Sequence, residues 1–227
     1  MADTQELHDL AVTVARQAAA MVLERHGEVH AADTKASDLD LVTEIDRASE
    51  VLITDLLLAA RPDDGIVGEE GADVASKSGV EWLVDPIDGT TSFFYGLPGF
   101  SVSIAARLNG TMVAGSVVAP AITTEYSALA GQGAWMNGDR ITCRDTDQLG
   151  QALVGTGFGP DHARRARQGT AFATIIPQIR LLIAQEAGAV TVLEHDDASD
   201  RAFVFAAAPG IANELLTLVR STGADQV

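Results

Sequence analysis

The densest chemistry in the chain lies in the stretch Trp82-Leu83-Val84-Asp85-Pro86-Ile87-Asp88-Gly89-Thr90-Thr91-Ser92-Phe93. An apolar strand runs there into two carboxylates three residues apart. Pro86 keeps Asp85 out of helical geometry, and Gly89 lets the backbone approach a ligand closely before the next helix begins. Amides and dipole at such a helix start favour an anion. Two carboxylates beside an anion repel it, however, unless a divalent cation lies between them. The pattern therefore points to Mg²⁺ bridging carboxylates and a phosphate group. A plain turn with both Asp residues as caps explains one of them well and two of them poorly.

Two further acidic groups precede this stretch: Glu69-Glu70, directly after Val67-Gly68, and the cluster Asp38, Asp40, Glu44 and Asp46 around Thr43. Each alone reads as a solvated loop or as a helix start capped by Thr43 or Asp46. Together with Asp85 and Asp88 they are harder to assign to solvent.

The elements that must position these residues follow from periodicity. Leu7, Leu10, Val14, Ala18, Met21 and Val22 recur at helical spacing, predicting a helix from Thr4 to about Arg25 with Gly27 as its stop. A second helix is expected from about Arg47 to Ala60, with Val51, Leu52, Leu56 and Leu57 inward, ending before Arg61-Pro62. Asn109-Gly110 and Asn137-Gly138 are hairpin turns between apolar runs and predict an antiparallel sheet over roughly Phe100 to Cys143. Beyond Leu149 the pattern alternates: a strand at Leu153-Val154, helix from Asp161 to about Ile176 with a helix end near Glu186, strands Val190 to Leu193 and Phe203 to Ala207, and a helix from Ile211 to Arg220. The fold class is α/β in the broad α+β sense, with an α+β part over 1–145 and an α/β part over 146–227.

Composition narrows the partners. The chain has 32 acids against 15 bases, and a net charge of −17 repels nucleic acid and anionic lipid. An apolar content of 47% is enough for a substantial core. The single Cys143 cannot form an internal disulfide and reads as a packed thiol. No apolar run is long enough to span a bilayer, and the acidic start lacks the basic region of a signal peptide, so a soluble, cytoplasmic protein is expected.

Other chemistries fit less well. A haloacid-dehalogenase phosphatase needs its second Asp two residues after the first, whereas Asp85 and Asp88 are three apart. Gly155-Thr156-Gly157-Phe158-Gly159 lacks the third glycine of a dinucleotide fingerprint, since Pro160 holds that place. No Gly-x-Ser-x-Gly occurs, and His8, His26, His30, His162 and His195 show no metal-ligand spacing.

Asp40-Leu41-Val42-Thr43-x-x-Asp46, Gly68-Glu69-Glu70, Trp82-x-x-Asp85-Pro86-Ile87-Asp88-Gly89-Thr90-Thr91 and the closing Phe203 to Leu216 region resemble, in order, the inositol monophosphatase family of Mg²⁺-dependent, lithium-sensitive phosphatases. The resemblance implies the layered αβαβα sandwich of the sugar phosphatases, a homodimer, and hydrolysis of inositol 1-phosphate or a similar small polyol phosphate. It implies that Glu69, Asp85 and the Ile87 carbonyl hold the tighter Mg²⁺, that Asp85 and Asp88 hold a second, and that Glu69 faces a third, weaker ion. Thr90 and Asp46, with Glu69, resemble the group that orients and deprotonates the attacking water. Gly89, Thr90 and Thr91 resemble the phosphate-binding amides, Asp88 also belongs to the substrate site, and Lys35 matches a mobile-loop lysine. Histidinol phosphate, fructose 1,6-bisphosphate and 3'-phosphoadenosine 5'-phosphate are substrates of similar proteins.

The sequence also departs from that pattern. The family carries a Trp-Asp pair before a Glu-Ala-Gly segment, and its Asp binds both metal and sugar. Glu186-Ala187-Gly188 is present, but counting ten residues back lands on Ile176 in an apolar run. The Gly-Ser-Ala substrate loop and the helix and strand after it are absent too, as though a few dozen residues were removed between Arg180 and Leu181. Glu194, Asp196, Asp197 and Asp200 are the nearby acids that could substitute. Ser92 stands where asparagine is common. A catalytically impaired, metal-binding interaction protein is the competing expectation, and removal of a core strand predicts lowered stability.

Overall fold

The structure is a computed structural model describing residues 3–28, 33–34, 41–143, 146–156, 158, 162–178, 181–184, 192–195, 202–205 and 212–221. It divides into two compact units, residues 1–35 with 40–142 and residues 36–39 with 143–227.

The first unit opens with helix α1 (Thr4–Glu24), whose N-cap Asp3 accepts a hydrogen bond from the Gln5 amide. Strands β1 (Asp33–Thr34) and β2 (Leu41–Val42) form a small antiparallel pair, and helix α2 (Glu44–Ala60) follows. Strands β3 (Gly65–Gly68), β4 (Asp73–Val74) and β5 (Val80–Asp88) lead into the short helix α3 (Thr90–Phe94). Then come β6 (Ser101–Leu108), β7 (Thr111–Ala119), β8 (Thr124–Leu129), β9 (Gly133–Met136) and β10 (Asp139–Ile141). Eight of these strands form one sheet in the order β10-β9-β8-β7-β6-β5-β3-β4. Both Asn-Gly turns join neighbouring strands as expected, with Asn109 at φ 50° and Asn137 at φ 51°, the left-handed region such turns require.

The sheet is antiparallel except where β3 and β5 run parallel, Gly68 opposite Val84. Parallel neighbours end on the same side of a sheet, so the chain leaves β3 at Glu69 beside the point where β5 reaches Asp85. Helix α1 packs on β6, β7 and α2, and α2 packs on β5. Trp82, Ile53, Leu57, Ile66 and Ile104 are fully buried between them. Trp82 donates its indole N–H to the buried Asp64 at 3.0 Å, and Asp64 also receives Ser78 Oγ at 2.6 Å and an ion pair from Arg61. This fixes the loop that launches β3.

Helix α2 corrects two expectations. It starts at Glu44 rather than near Arg47, because Thr43 caps it. Its buried face carries Ile45, Asp46, Ser49, Glu50, Ile53 and Leu57, while Val51 is 61% exposed. The expected inward set named only apolar residues, and this helix also turns Asp46, Ser49 and Glu50 inward.

In the second unit, β11 (Leu153–Thr156) pairs in parallel with β12 (Leu181–Ala184), with α4 (His162–Ile175) between them in sequence. Strands β13 (Val192–His195) and β14 (Ala202–Phe205) are antiparallel, and α5 (Ala212–Ser221) closes the unit. Leu149, Ala152, Ile175, Leu215 and Val219 form its small core. The expected helix end near Glu186 lies outside the described residues, and the apolar run before it, residues 181–184, forms a strand. A four-residue apolar run carries no periodicity that separates strand from buried helix. Cys143 is exposed rather than packed, because it follows the last strand of the first unit instead of lying within it. Among the described residues no helix is long and apolar enough to cross a membrane.

Candidate active site

The site grows from an irregularity in β5. Asp85 pairs with Ser103 and Asp88 with Ser101, with a register shift between them. Three residue steps on β5 thus match two on β6, the signature of a β-bulge. On a regular strand two residues three apart point to opposite faces. Here their partners Ser103 and Ser101 are two apart and share a face, so Asp85 and Asp88 are brought to one face as well. Both are partly buried, while Pro86 and Ile87 between them are buried. Pro86 suits the bulge because it has no amide to leave unpaired. Ser101 Oγ reaches Asp88 at 3.4 Å.

The bulge is held from the helix side. Ser49 Oγ donates to the Pro86 carbonyl at 3.2 Å. One turn earlier on α2, Asp46 is buried at the capping box: its Oδ2 accepts the Thr43 amide at 2.8 Å and the Thr43 hydroxyl. Its Oδ1 faces Thr90 Oγ1 at 2.9 Å, and the same hydroxyl lies 3.0 Å from the Ile87 carbonyl. Burial pushes the Asp46 carboxyl above the usual Asp range, opposed by the hydrogen bonds from Thr43 and Thr90.

Gly89 turns the chain from β5 into α3 at φ 87°. A Cβ there would stand 2.6 Å from the Gly99 carbonyl oxygen, so the turn admits glycine alone. Thr90 and Thr91 form the first turn of α3. With five residues, α3 contributes little macrodipole, so any anion affinity at this turn rests on amides rather than on the dipole expected from sequence.

Glu69 enters from β3, its amide bonded to the Val84 carbonyl at 3.2 Å. Its side chain is exposed and that of Glu70 is half-buried. Among the described residues no group of three or more His, Cys, Asp or Glu closes into a cation-holding cluster, so Glu69, Asp85 and Asp88 do not converge fully. Like-charged carboxylates repel one another. The donors are all hard oxygens, three carboxylates and the Ile87 carbonyl, and this set suits Mg²⁺ rather than a softer metal. Asp85 and Asp88, brought to one face by the bulge, and the Ile87 carbonyl between them are the residues that would hold such an ion, with Glu69 at the adjoining strand end. Lys35, Asp196, Asp197 and Asp200 lie outside the described residues, and Glu194 falls in β13 of the second unit.

Two residues that the sequence reading passed over belong to this site: Ser49, behind Pro86, and Glu50, which is buried and accepts the amides of Glu70 and Ala72, each at 2.8 Å. The available signal was their spacing, three and four residues after Asp46 on one helix face.

The inositol monophosphatase family profile matches residues 3–199, which include every one of these elements. The chain belongs to this family. It is 36% identical to an inositol-1-monophosphatase of Mycobacterium bovis across 94% of this chain and 93% of that one. It is also 36% identical to a fructose-1,6-bisphosphatase/inositol-1-monophosphatase of Thermotoga maritima, across 66% of this chain and 57% of that protein. The solved structure of Mycobacterium tuberculosis SuhB shares the fold at a TM-score of 0.80 and 33% identity, covering 98% of each chain. Family membership brings a phosphatase of the inositol monophosphatase type, a class that depends in general on metal. The M. bovis alignment runs over 270 positions and takes in 94% of this chain's 227 residues, so more than fifty positions have no counterpart here.

Proposed function

We propose that this protein is a Mg²⁺-dependent phosphomonoesterase acting on inositol 1-phosphate or a similar small polyol phosphate, as a cytoplasmic homodimer. The observation that carries the reading is the β5 bulge, which sets Asp85 and Asp88 on one face beside the Thr90–Asp46 pair. Divalent ions held by Glu69, Asp85, Asp88 and the Ile87 carbonyl would acidify the attacking water and neutralise charge on the phosphoryl group. The chain supplies the remainder. Ionised Asp46 takes the Thr90 proton in a hydrogen bond, which leaves the Thr90 oxygen as an acceptor that orients water. Gly89, Thr90 and Thr91 offer backbone amides to phosphate oxygens, and Lys35 adds a positive charge. Attack by water needs no covalent enzyme intermediate.

Phosphate release from inositol 1-phosphate across a Mg²⁺ titration, with Asp88→Asn as control, tests this. Mg²⁺-dependent turnover abolished by Asp88→Asn supports the proposal. Turnover of fructose 1,6-bisphosphate, histidinol phosphate or 3'-phosphoadenosine 5'-phosphate instead would keep the chemistry and change the substrate. A second reading, a metal-binding interaction protein with impaired catalysis, is favoured by the positions missing from the alignment with the M. bovis relative. We place that gap between Arg180 and Leu181. Mg²⁺ binding without turnover of any of these phosphates would select this reading.

A further inference from the structure

Gly68 to Ala72 forms a tight loop closed by the Gly68 amide on the Ala72 carbonyl at 2.7 Å. Inside it stands the carboxylate of Glu50. One oxygen accepts the Glu70 amide and the other the Ala72 amide, each at 2.8 Å. Glu50 is 4% exposed and sits four residues after Asp46 on the buried face of α2. A Cβ on Gly68 would lie 2.4 Å from Glu50 Oε2, so the missing side chain at Gly68 is what lets the carboxylate press against the loop backbone. A buried carboxylate must have its charge answered by donors, and here the donors are the amides of the turn that carries Glu69.

We infer that Glu50 is a positioning residue, fixing the Glu69-Glu70 turn so that Glu69 is delivered from the end of β3 towards Asp85. The inference rests on the reading of Glu69, Asp85 and Asp88 as cation ligands. It makes one face of α2 the template for the whole site: Asp46 sets Thr90, Ser49 sets Pro86, and Glu50 sets the Glu69 turn. Glu50 touches neither phosphate nor cation in this scheme. Its effect is on how much Mg²⁺ is needed rather than on the chemical step. Residues that orient metal ligands are typically worth about 10–100-fold in metal affinity.

The test compares wild type with Glu50→Gln, which keeps the shape but offers one acceptor where the loop needs two. Gly68→Ala is an independent second variant: it retains Glu50 and pushes its carboxylate off the loop. Three readouts are taken: Mg²⁺ affinity by calorimetry, the Mg²⁺ midpoint of phosphate release, and hydrogen exchange of the Glu70 and Ala72 amides in metal-free protein. Both variants are expected to exchange these two amides faster, to weaken Mg²⁺ binding by about tenfold or more, and to recover turnover at saturating Mg²⁺ with KM for the phosphate ester unchanged. Wild-type Mg²⁺ binding with an unchanged affinity and unchanged amide exchange in the folded variants would overturn the inference alone. Wild-type protein that binds no Mg²⁺ would overturn the cation-site reading and the inference with it. If Glu50→Gln fails to fold, Gly68→Ala decides.

Discussion

Thr90 Oγ1 stands 2.9 Å from Oδ1 of Asp46 and 3.0 Å from the Ile87 carbonyl, and it has one proton for the two. An ionised carboxylate is the stronger acceptor. With Asp46 charged, the proton points to Asp46, the Thr90 oxygen can accept from water, and the Ile87 carbonyl keeps its lone pairs for a cation. The charge on Asp46 therefore sets the direction of a hydrogen bond at one neighbour and the ligand capacity of another.

Asp46→Asn reverses that arrangement. The amide oxygen is needed at the Thr43 end, where the capping box donates to it. The NH₂ then faces Thr90, which must accept from it and turn its own proton to the Ile87 carbonyl. Turnover at saturating Mg²⁺ is expected to fall by about 10²–10⁴-fold, the usual worth of general acid–base participation. Steady-state phosphate release checks this, and a variant within a factor of about three of wild type would remove Asp46 from the reaction.

The same variant has a stability signature. Burial raises the Asp46 carboxyl above its ordinary 3.8 in the folded chain, so the folded state holds the proton more tightly than the unfolded one. Asp46 then contributes its full stability below pH 3.8, and that contribution is lost as pH rises through the raised value. Asp46→Asn cannot titrate and escapes this loss. In urea unfolding of metal-free protein, the stability of Asp46→Asn relative to wild type is expected to climb with pH across that window. A flat difference would show that hydrogen bonding to Thr43 and Thr90 cancels the burial effect.

Much of this site was legible because local chemistry wrote it. Asp85-Pro86-Ile87-Asp88-Gly89 names a strand end, a break and a close approach, and Thr43 with Asp46 writes a capping box. Asn109-Gly110 and Asn137-Gly138 gave both hairpins because their turn needs positive φ. The inward face of α2 was misread for a physical reason. Ser49 and Glu50 look solvent-seeking until β5 and the Glu69 turn supply their partners, and those partners are distant in sequence. The bulge was hidden in the same way, since a register shift is a property of two strands and Ser101 and Ser103 hold half of it. Strand β12 carries too few residues to display a period.

Gly89→Ala should damage fold and site together. The added Cβ meets the Gly99 carbonyl oxygen at 2.6 Å, a backbone atom that cannot swing aside, and φ 87° is itself unfavourable for alanine. Strain of this kind costs about 1–3 kcal/mol, which in a chain of this size lowers Tm by about 2–4 °C for each kcal/mol. Thermal unfolding with and without Mg²⁺ measures it. An unchanged Tm would mean that the turn relaxes and that Gly89 is not needed for its shape.

The cross-strand placement of Asp88 separates a backbone effect from a side-chain one. Its hydrogen bond from Ser101 is long at 3.4 Å, so the β5–β6 register rather than the hydroxyl holds Asp88 in place. Ser101→Ala is therefore expected to leave Mg²⁺ dependence close to wild type. Asp85→Asn and Asp88→Asn remove a ligand charge and should abolish most metal-dependent turnover, with Asp85→Asn the more severe if one carboxylate serves two ions. Phosphate release across a Mg²⁺ titration orders the three variants. Loss in Ser101→Ala equal to that in Asp88→Asn would move the positioning role from the bulge to the serine. Retained turnover in Asp85→Asn at ordinary Mg²⁺ would dismantle the site.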